Sequence, residues 1–136
     1  MVKVIMGLKG AGKTKKLIEL VNKAADEEQG DTVCIEKGNG LTFDISHKVR
    51  LVQSSQYNFS NYEFLKGFIS GLLAGNYDIT HVFIDGLFKL VDDASLNSAE
   101  NFLDWCSAFS EKEDVKFTLT ISESESLATP GIKKYF

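Results

Sequence analysis

The chain has 136 residues, of which 43% are hydrophobic and 25% are charged, and these values are typical of one globular domain with its own core. The net charge of −4 provides no overall electrostatic attraction to nucleic acid or to an anionic membrane. No leader is recognisable and no apolar stretch approaches the roughly 18 residues that span a bilayer. We therefore expect a single domain over residues 1–136, located in the cytoplasm.

The first predicted elements are a strand, a loop and a helix. Residues 2–6 are rich in β-branched side chains, residues 7–14 have the pattern G-x-x-x-x-G-K-T, and apolar residues then recur at helical spacing to about residue 29. A glycine-rich loop at a helix N-terminus presents backbone N–H groups and a positive dipole end to a polyphosphate. The segment predicts a nucleotide site formed by Gly7, Leu8, Lys9, Gly10, Ala11, Gly12, Lys13, Thr14 and Lys15.

Two side chains of this loop have specific expected roles. Lys13 is placed to reach the β- and γ-phosphates, and the Thr14 hydroxyl is placed to bind Mg²⁺. The guanine-reading pattern N-K-x-D is absent from the sequence, which favours ATP over GTP as the nucleoside triphosphate.

The next stretch predicts a β-hairpin insertion, which follows the first helix. Residues 32–36 are an apolar strand, residues 38–40 are a turn signal, and Leu41, Phe43 and Ile45 then alternate with polar neighbours. Residues 49–52 predict another short strand. Residues 60–63 match a capping box with Ser60 as the N-cap of a helix that ends near residue 75.

The second half continues the alternation of strands and helices. Residues 80–85 predict an apolar strand that ends in Asp85, residues 97–112 a helix, and residues 116–122 a last strand before an irregular tail. This order predicts a three-layer α/β/α sandwich with a mostly parallel sheet. Because parallel strands end at one edge, we expect Asp85 beside the loop, where it would hold Mg²⁺ together with Thr14.

Residues 7–14 and 82–85 resemble the Walker A and Walker B motifs of the P-loop NTPase superfamily, and the βαβ pattern extends this resemblance to about residue 122. The element order is more similar to the additional-strand branch of RecA-type and AAA-type ATPases. In that branch a strand lies between the two motif strands, and residues 49–52 or their neighbours are expected to supply it. Members usually have a water-activating glutamate directly after the Walker B aspartate, whereas this chain has Gly86, which implies inefficient hydrolysis.

The resemblance also suggests where catalytic groups would lie. Residues 116–122 resemble the strand that carries a polar sensor residue, so Ser122 or Glu123 would contact the γ-phosphate, and Lys13 and Glu123 are the catalytic candidates. A solvated loop carboxylate is the alternative interpretation of Glu123. Arg50, the only arginine against fourteen lysines, could act within its own subunit, across a homo-oligomer, or not at all.

Three functions follow as hypotheses. The first is an Mg²⁺-ATP-binding P-loop protein with weak or partner-dependent ATPase activity. The second is a small kinase that transfers the γ-phosphoryl group to a nucleoside or another small hydroxyl compound, with an acceptor pocket shaped by Asp44, Glu36 or Glu123. The third is a non-catalytic nucleotide sensor whose contacts with an unidentified protein partner change when ATP binds.

The cysteines and histidines suggest no metal or redox site. Cys34 and Cys106 lack C-x-x-C spacing and are expected to be reduced core residues, while His47 and His81 lack the spacing of metal ligands and are expected to be structural.

Overall fold

The computed structural model describes residues 1–41 and 44–136. The strands are β1 (Val2–Gly7), β2 (Asp31–Glu36), β3 (Arg50–Gln53), β4 (Ile79–Ile84) and β5 (Lys116–Ser122). The helices are α1 (Lys13–Glu27), α2 (Tyr62–Gly75), α3 (Leu87–Leu90), α4 (Leu96–Glu113) and α5 (Pro130–Lys133). Across the described ranges, no helix combines the length and the apolar composition that crossing a membrane requires.

The five strands form one sheet in the order β1-β5-β4-β2-β3, and every neighbouring pair is parallel. Strand β5 therefore separates β1, which precedes the glycine-rich loop, from β4, which precedes Asp85. The expectation that residues 49–52 would lie between these strands is wrong, because β3 forms an edge of the sheet beside β2. Pairing order is decided by long-range contacts, which local patterning does not encode.

Helices cover both faces of the sheet. In β4, Val82 and Ile84 belong to the core cluster that includes α2 and α4, whereas Phe83 belongs to the cluster formed around α1. The alternation follows from the period of two along a strand. All three side chains are fully buried, and burying one such side chain stabilises the fold by roughly 1.5–3 kcal/mol.

The cysteines lie in this core, as predicted. Cys34 and Cys106 are both buried and free, and burial raises the pKa of each thiol well above its ordinary value. Neither side chain is therefore available as a thiolate nucleophile.

The predicted hairpin is not found in the part of the chain that the structure describes. Strand β2 has β4 on one side and β3 on the other, both parallel, so neither of its edges is free for a hairpin arm. Residues 37–41 and 44–49 contain turns and bends but no strand, and residues 42–43, in the middle of the predicted arm, lie outside the described residues.

Helix α2 begins one residue later than its capping-box pattern predicts. The N-cap is Asn61 and not Ser60, because the Asn61 side chain accepts a hydrogen bond from the Phe64 N–H at 2.8 Å. Phe59, before the cap, contacts Phe64 in the first turn of the helix, with 5.1 Å between ring centroids. Asparagine caps a helix as well as serine does, so the local pattern permitted both starts.

A buried hydrogen-bond chain fixes the C-terminal end of α1 to the sheet. His81 Nδ1 lies 2.8 Å from Glu28 Oε2, and His81 Nε2 lies 2.9 Å from Thr118 Oγ1. Since a carboxylate only accepts, Nδ1 carries the proton and the Thr118 hydroxyl donates to Nε2. These contacts hold the C-cap of α1 against the sheet, at the end of the helix opposite to the glycine-rich loop.

We expect this chain of contacts to make the protein less stable as the pH falls from 7 to 5. Burial lowers the pKa of His81, and Glu28 opposes this effect only in part. As the pH falls past the ordinary histidine pKa of about 6.5, the unfolded state therefore takes up a proton while the folded state does not. The free energy of unfolding should therefore decrease through this range, as measured by urea denaturation at pH 7, 6 and 5. Below it, Glu28 adds a further loss, because its pKa in the folded state is also lowered.

The variant His81→Gln tests this assignment. It should lower the free energy of unfolding at pH 7 by roughly 1–3 kcal/mol, because it disrupts buried hydrogen bonds, and it should flatten the dependence on pH. His47→Gln, which removes the exposed histidine, is the matched control. A wild-type protein that becomes more stable between pH 7 and 5 would contradict the assignment.

Candidate nucleotide site

The candidate site is a cavity of about 370 Å³ where β1, β4 and β5 end at one edge of the sheet. Ligand sites of open parallel sheets lie at this edge, outside the carboxyl ends of the strands. Three segments contribute lining residues: the loop with the start of α1, the segment after β4, and β5. These residues are Lys9, Gly10, Gly12, Lys13, Thr14, Lys15, Asp85, Gly86, Lys89, Thr120 and Ser122.

The loop between β1 and α1 depends on two glycines with left-handed backbones. Gly10 has φ = 90° and Gly12 has φ = 84°, conformations that other residues adopt only with strain. Between them, the Ala11 N–H donates to the Leu8 carbonyl at 3.0 Å and closes a tight turn. This turn leaves Leu8 61% exposed and brings the chain directly into α1 at Lys13.

The first turn of α1 presents free hydrogen-bond donors to the cavity. The backbone N–H groups of Lys13, Thr14 and Lys15 form no hydrogen bond within the described part of the chain, and Gly12 provides no side-chain cap. The first N–H groups of a helix have no intrahelical partner and carry the positive end of its dipole. The arrangement suits an anionic group.

The Lys13 side chain folds back over the loop. Its ammonium group donates to the Leu8 carbonyl at 3.1 Å, and the residue is 9% exposed. The cation is therefore held at the cavity by a single neutral acceptor, and no carboxylate pairs with it in a salt bridge among the described residues. A bound anion would give this ammonium group a charged partner, a stronger interaction than a neutral carbonyl provides.

Asp85 connects the three segments that line the cavity. Its Oδ1 accepts from the Thr120 hydroxyl at 3.0 Å and from the Thr14 hydroxyl at 3.4 Å. Thr120 in turn accepts from the Gly86 N–H at 2.7 Å, and it is 1% exposed. The carboxylate is thereby oriented from β5, while Oδ2 has no hydrogen bond to any described residue.

The charge around the cavity is strongly positive. Four lysines line it, against the single carboxylate of Asp85, although the whole chain has a net charge of −4. Field lines from like charges concentrate in a concave site and raise the local concentration of the opposite ion. This distribution of charge suits a small polyanion.

Among the residues that the structure describes, side chains alone do not form a complete metal centre. No group of three or more His, Cys, Asp or Glu side chains is arranged to hold a metal ion among residues 1–41 and 44–136. Thr14 and Asp85, the two metal ligands expected from the sequence, lie close together, with 3.4 Å between Thr14 Oγ1 and Asp85 Oδ1. Mg²⁺ commonly binds through one or two protein oxygens, with water and substrate phosphates completing its coordination.

The other carboxylates proposed from sequence do not line the cavity. Glu123 forms an isolated bridge with Gly7, and its Oε1 accepts from the Ser124 N–H at 2.9 Å. Glu36 is 4% exposed and accepts from the Leu41 N–H at 3.1 Å; burial, followed by the charge of Asp85, raises its pKa. Asp44 is exposed and contributes its backbone carbonyl to a hydrogen bond with Asn22.

Arg50 lies at the opposite end of the sheet. It is the first residue of β3, the edge strand, whereas the cavity is at the carboxyl ends of the strands. The arginine is exposed there and lines a separate cavity near the start of β2. It therefore cannot contact a ligand in the candidate site of its own subunit.

Sequence reasoning missed two residues of the site, Thr120 and Lys89. Thr120 was identifiable as one of the polar residues that alternate along β5, but its role depends on β5 lying beside β4. Lys89 belongs to α3, a helix of four residues that is too short for a periodic pattern to reveal.

A scan against models of known protein families finds no match for this chain, and none of the curated proteins matches its sequence.

Proposed function

We propose that this protein binds Mg²⁺-ATP as a member of the P-loop NTPase superfamily and hydrolyses it slowly or only with a partner. The observation that carries the proposal is the cavity at the strand ends, where four lysines and the free N–H groups of the α1 N-terminus surround one oriented carboxylate. Polyphosphate is the common biological ligand with enough charge and enough acceptor oxygens for such a site.

The strand order supports the additional-strand branch within this proposal. One strand, β5, separates the strand before the loop from the strand before Asp85, which is the arrangement expected for RecA-type and AAA-type ATPases. The intervening strand contributes Thr120 and Ser122 to the cavity, where a polar sensor residue would lie.

Thr14 and Asp85 would hold Mg²⁺ in this proposal. Their side chains already meet at 3.4 Å beside the loop, and both supply the oxygen ligands that Mg²⁺ prefers. The bound cation would neutralise charge on the β- and γ-phosphates. Thr120 would keep the Asp85 carboxylate facing the cavity throughout.

The metal role predicts a selective loss of affinity. Asp85→Asn and Thr14→Ala should weaken Mg²⁺-ATP binding by about 10-fold or more, equivalent to about 1.4 kcal/mol, because each removes an oxygen ligand or its charge. Binding of ATP in the presence of EDTA should change much less. Calorimetric titration with and without Mg²⁺ measures both values, and Asp92→Asn, at an exposed aspartate, is the control. Equal losses with and without metal would assign Asp85 a structural role only.

A non-catalytic nucleotide sensor is the second candidate. Among the described residues that line the cavity, Asp85 is the only carboxylate. A second carboxylate would be needed as the base that activates water or an acceptor hydroxyl, so this lining favours a sensor. A small-molecule kinase would need the same base. Steady phosphate release without an acceptor supports the ATPase, acceptor-dependent ADP release supports the kinase, and binding without turnover supports the sensor.

A further inference from the structure

The turn after Asp85 leads immediately into α3, the short helix that carries Lys89. Gly86 has φ = 75°, its N–H donates to Thr120 Oγ1, and its carbonyl accepts from the Lys89 N–H at 2.9 Å. The position that follows Asp85 is therefore fixed on both sides by hydrogen bonds. The backbone of Lys89 therefore has a defined position close to Asp85.

The aliphatic stem of Lys89 lies against Gly86. A Cβ atom at Gly86 would lie 3.1 Å from Lys89 Cδ, 3.5 Å from Cγ and 3.6 Å from Cε. A side chain at this position would therefore require the lysine stem to shift by a few tenths of an ångström, in addition to adopting a left-handed backbone. The stem of Lys89 can therefore lie where it does because residue 86 has no side chain.

The ammonium group of Lys89 is available to a ligand. The residue is exposed, lines the same cavity as Lys13, and its side chain makes no hydrogen bond or salt bridge within the described part of the chain. It does act electrostatically on Glu36, opposing the effects that raise the pKa of that buried carboxyl. The positive charge of Lys89 therefore acts at the carboxyl end of β2, where the charge of Asp85 acts on Glu36 as well.

We propose that Lys89 binds the terminal phosphate of the nucleotide and thereby makes the site selective for a triphosphate over a diphosphate. This inference rests on the proposed function. The loop and the α1 N-terminus bind phosphates on one side of the cavity, and Lys89 reaches it from the other side, next to Asp85 and Thr14. Lys89 would supply a single point charge to the terminal phosphate, without the planar, bidentate geometry of an arginine.

The test compares ATP and ADP affinities by calorimetric titration in Mg²⁺, for the wild type, Lys89→Gln and Lys89→Arg. Lys89→Gln should weaken ATP binding by about 10-fold while changing ADP binding by less than about 3-fold, since only ATP carries the contacted phosphate. Lys89→Arg should retain most of the selectivity. Lys112→Gln, at an exposed lysine on α4, controls for the loss of one positive charge.

Gly86→Ala provides an independent arm. It should reduce the ratio of ATP to ADP affinity in the wild type, because the added methyl shifts the stem of Lys89, and it should leave the ratio unchanged in the Lys89→Gln background. Lys89 is exposed, so Lys89→Gln decides the question even if Gly86→Ala fails to fold.

The outcomes separate the two proposals. The assignment of Lys89 is wrong if Lys89→Gln weakens the binding of ATP and ADP equally, or weakens neither. The proposed function still stands in that case if ATP binding depends on Lys13. A wild-type protein that binds neither nucleotide overturns both.

Discussion

Mg²⁺-ATP should raise the midpoint of thermal unfolding, Tm, by about 6–12 °C when it is present at about 100 times its Kd. A ligand that binds only the folded state stabilises it by roughly 2.7 kcal/mol at that concentration. For a domain of this size, each kcal/mol corresponds to a few degrees in Tm. A thermal-shift titration with ATP, GTP and ADP, with and without Mg²⁺, measures the effect and ranks the nucleotides.

Lys13→Ala should remove most of this shift. The variant deletes the ammonium group at the cavity and loses only one hydrogen bond, to the Leu8 carbonyl, so we expect it to fold. Lys16→Ala is the matched control, because Lys16 lies three residues further along α1, is exposed, and does not line the cavity. If millimolar ATP and GTP both leave the wild-type Tm unchanged, the proposed function is wrong.

The isolated protein should hydrolyse ATP far more slowly than the roughly 10 s⁻¹ that is the median turnover of enzymes. No described residue that lines the cavity is an arginine, and Asp85, its only carboxylate, is assigned to the metal. An arginine that reaches the transferred phosphate accelerates hydrolysis by roughly 10³–10⁵ where one operates. Phosphate release measured at several protein concentrations tests the expectation.

Because Arg50 lies at the opposite end of the sheet, only a second copy of the chain can bring it to the site. If self-association completes the site, the rate per subunit should rise with protein concentration, and Arg50→Ala should abolish the rise while Lys48→Ala, at a neighbouring exposed lysine, does not. A fast rate independent of concentration would contradict slow intrinsic turnover. Loss of that rate in Glu123→Gln would then identify Glu123 as the activating base.

Much of the local structure was predictable from the sequence. Local patterns predicted all five strands, the three long helices and the strand–loop–helix at residues 2–29. These patterns depend on neighbours in the chain: apolar residues recur with a period of two in strands and near 3.6 in helices, and glycines stand where φ is positive. The same local logic placed Lys13 and Thr14 at the start of α1. Asp85 was identifiable because an apolar strand ends there and the strands were expected to be parallel.

Which strands are neighbours was decided only by the tertiary structure. The wrong position expected for residues 49–52 and the predicted hairpin on β2 both depended on the side-by-side order of strands. The role suggested for Glu123 stays a prediction. That order follows from burying both faces of the sheet under helices that are distant in sequence. The same strand order brings Thr120 to Asp85 and Lys89 to the cavity, and it places Arg50 away from the cavity. Side chains separated by tens of residues come together only after the strands have paired.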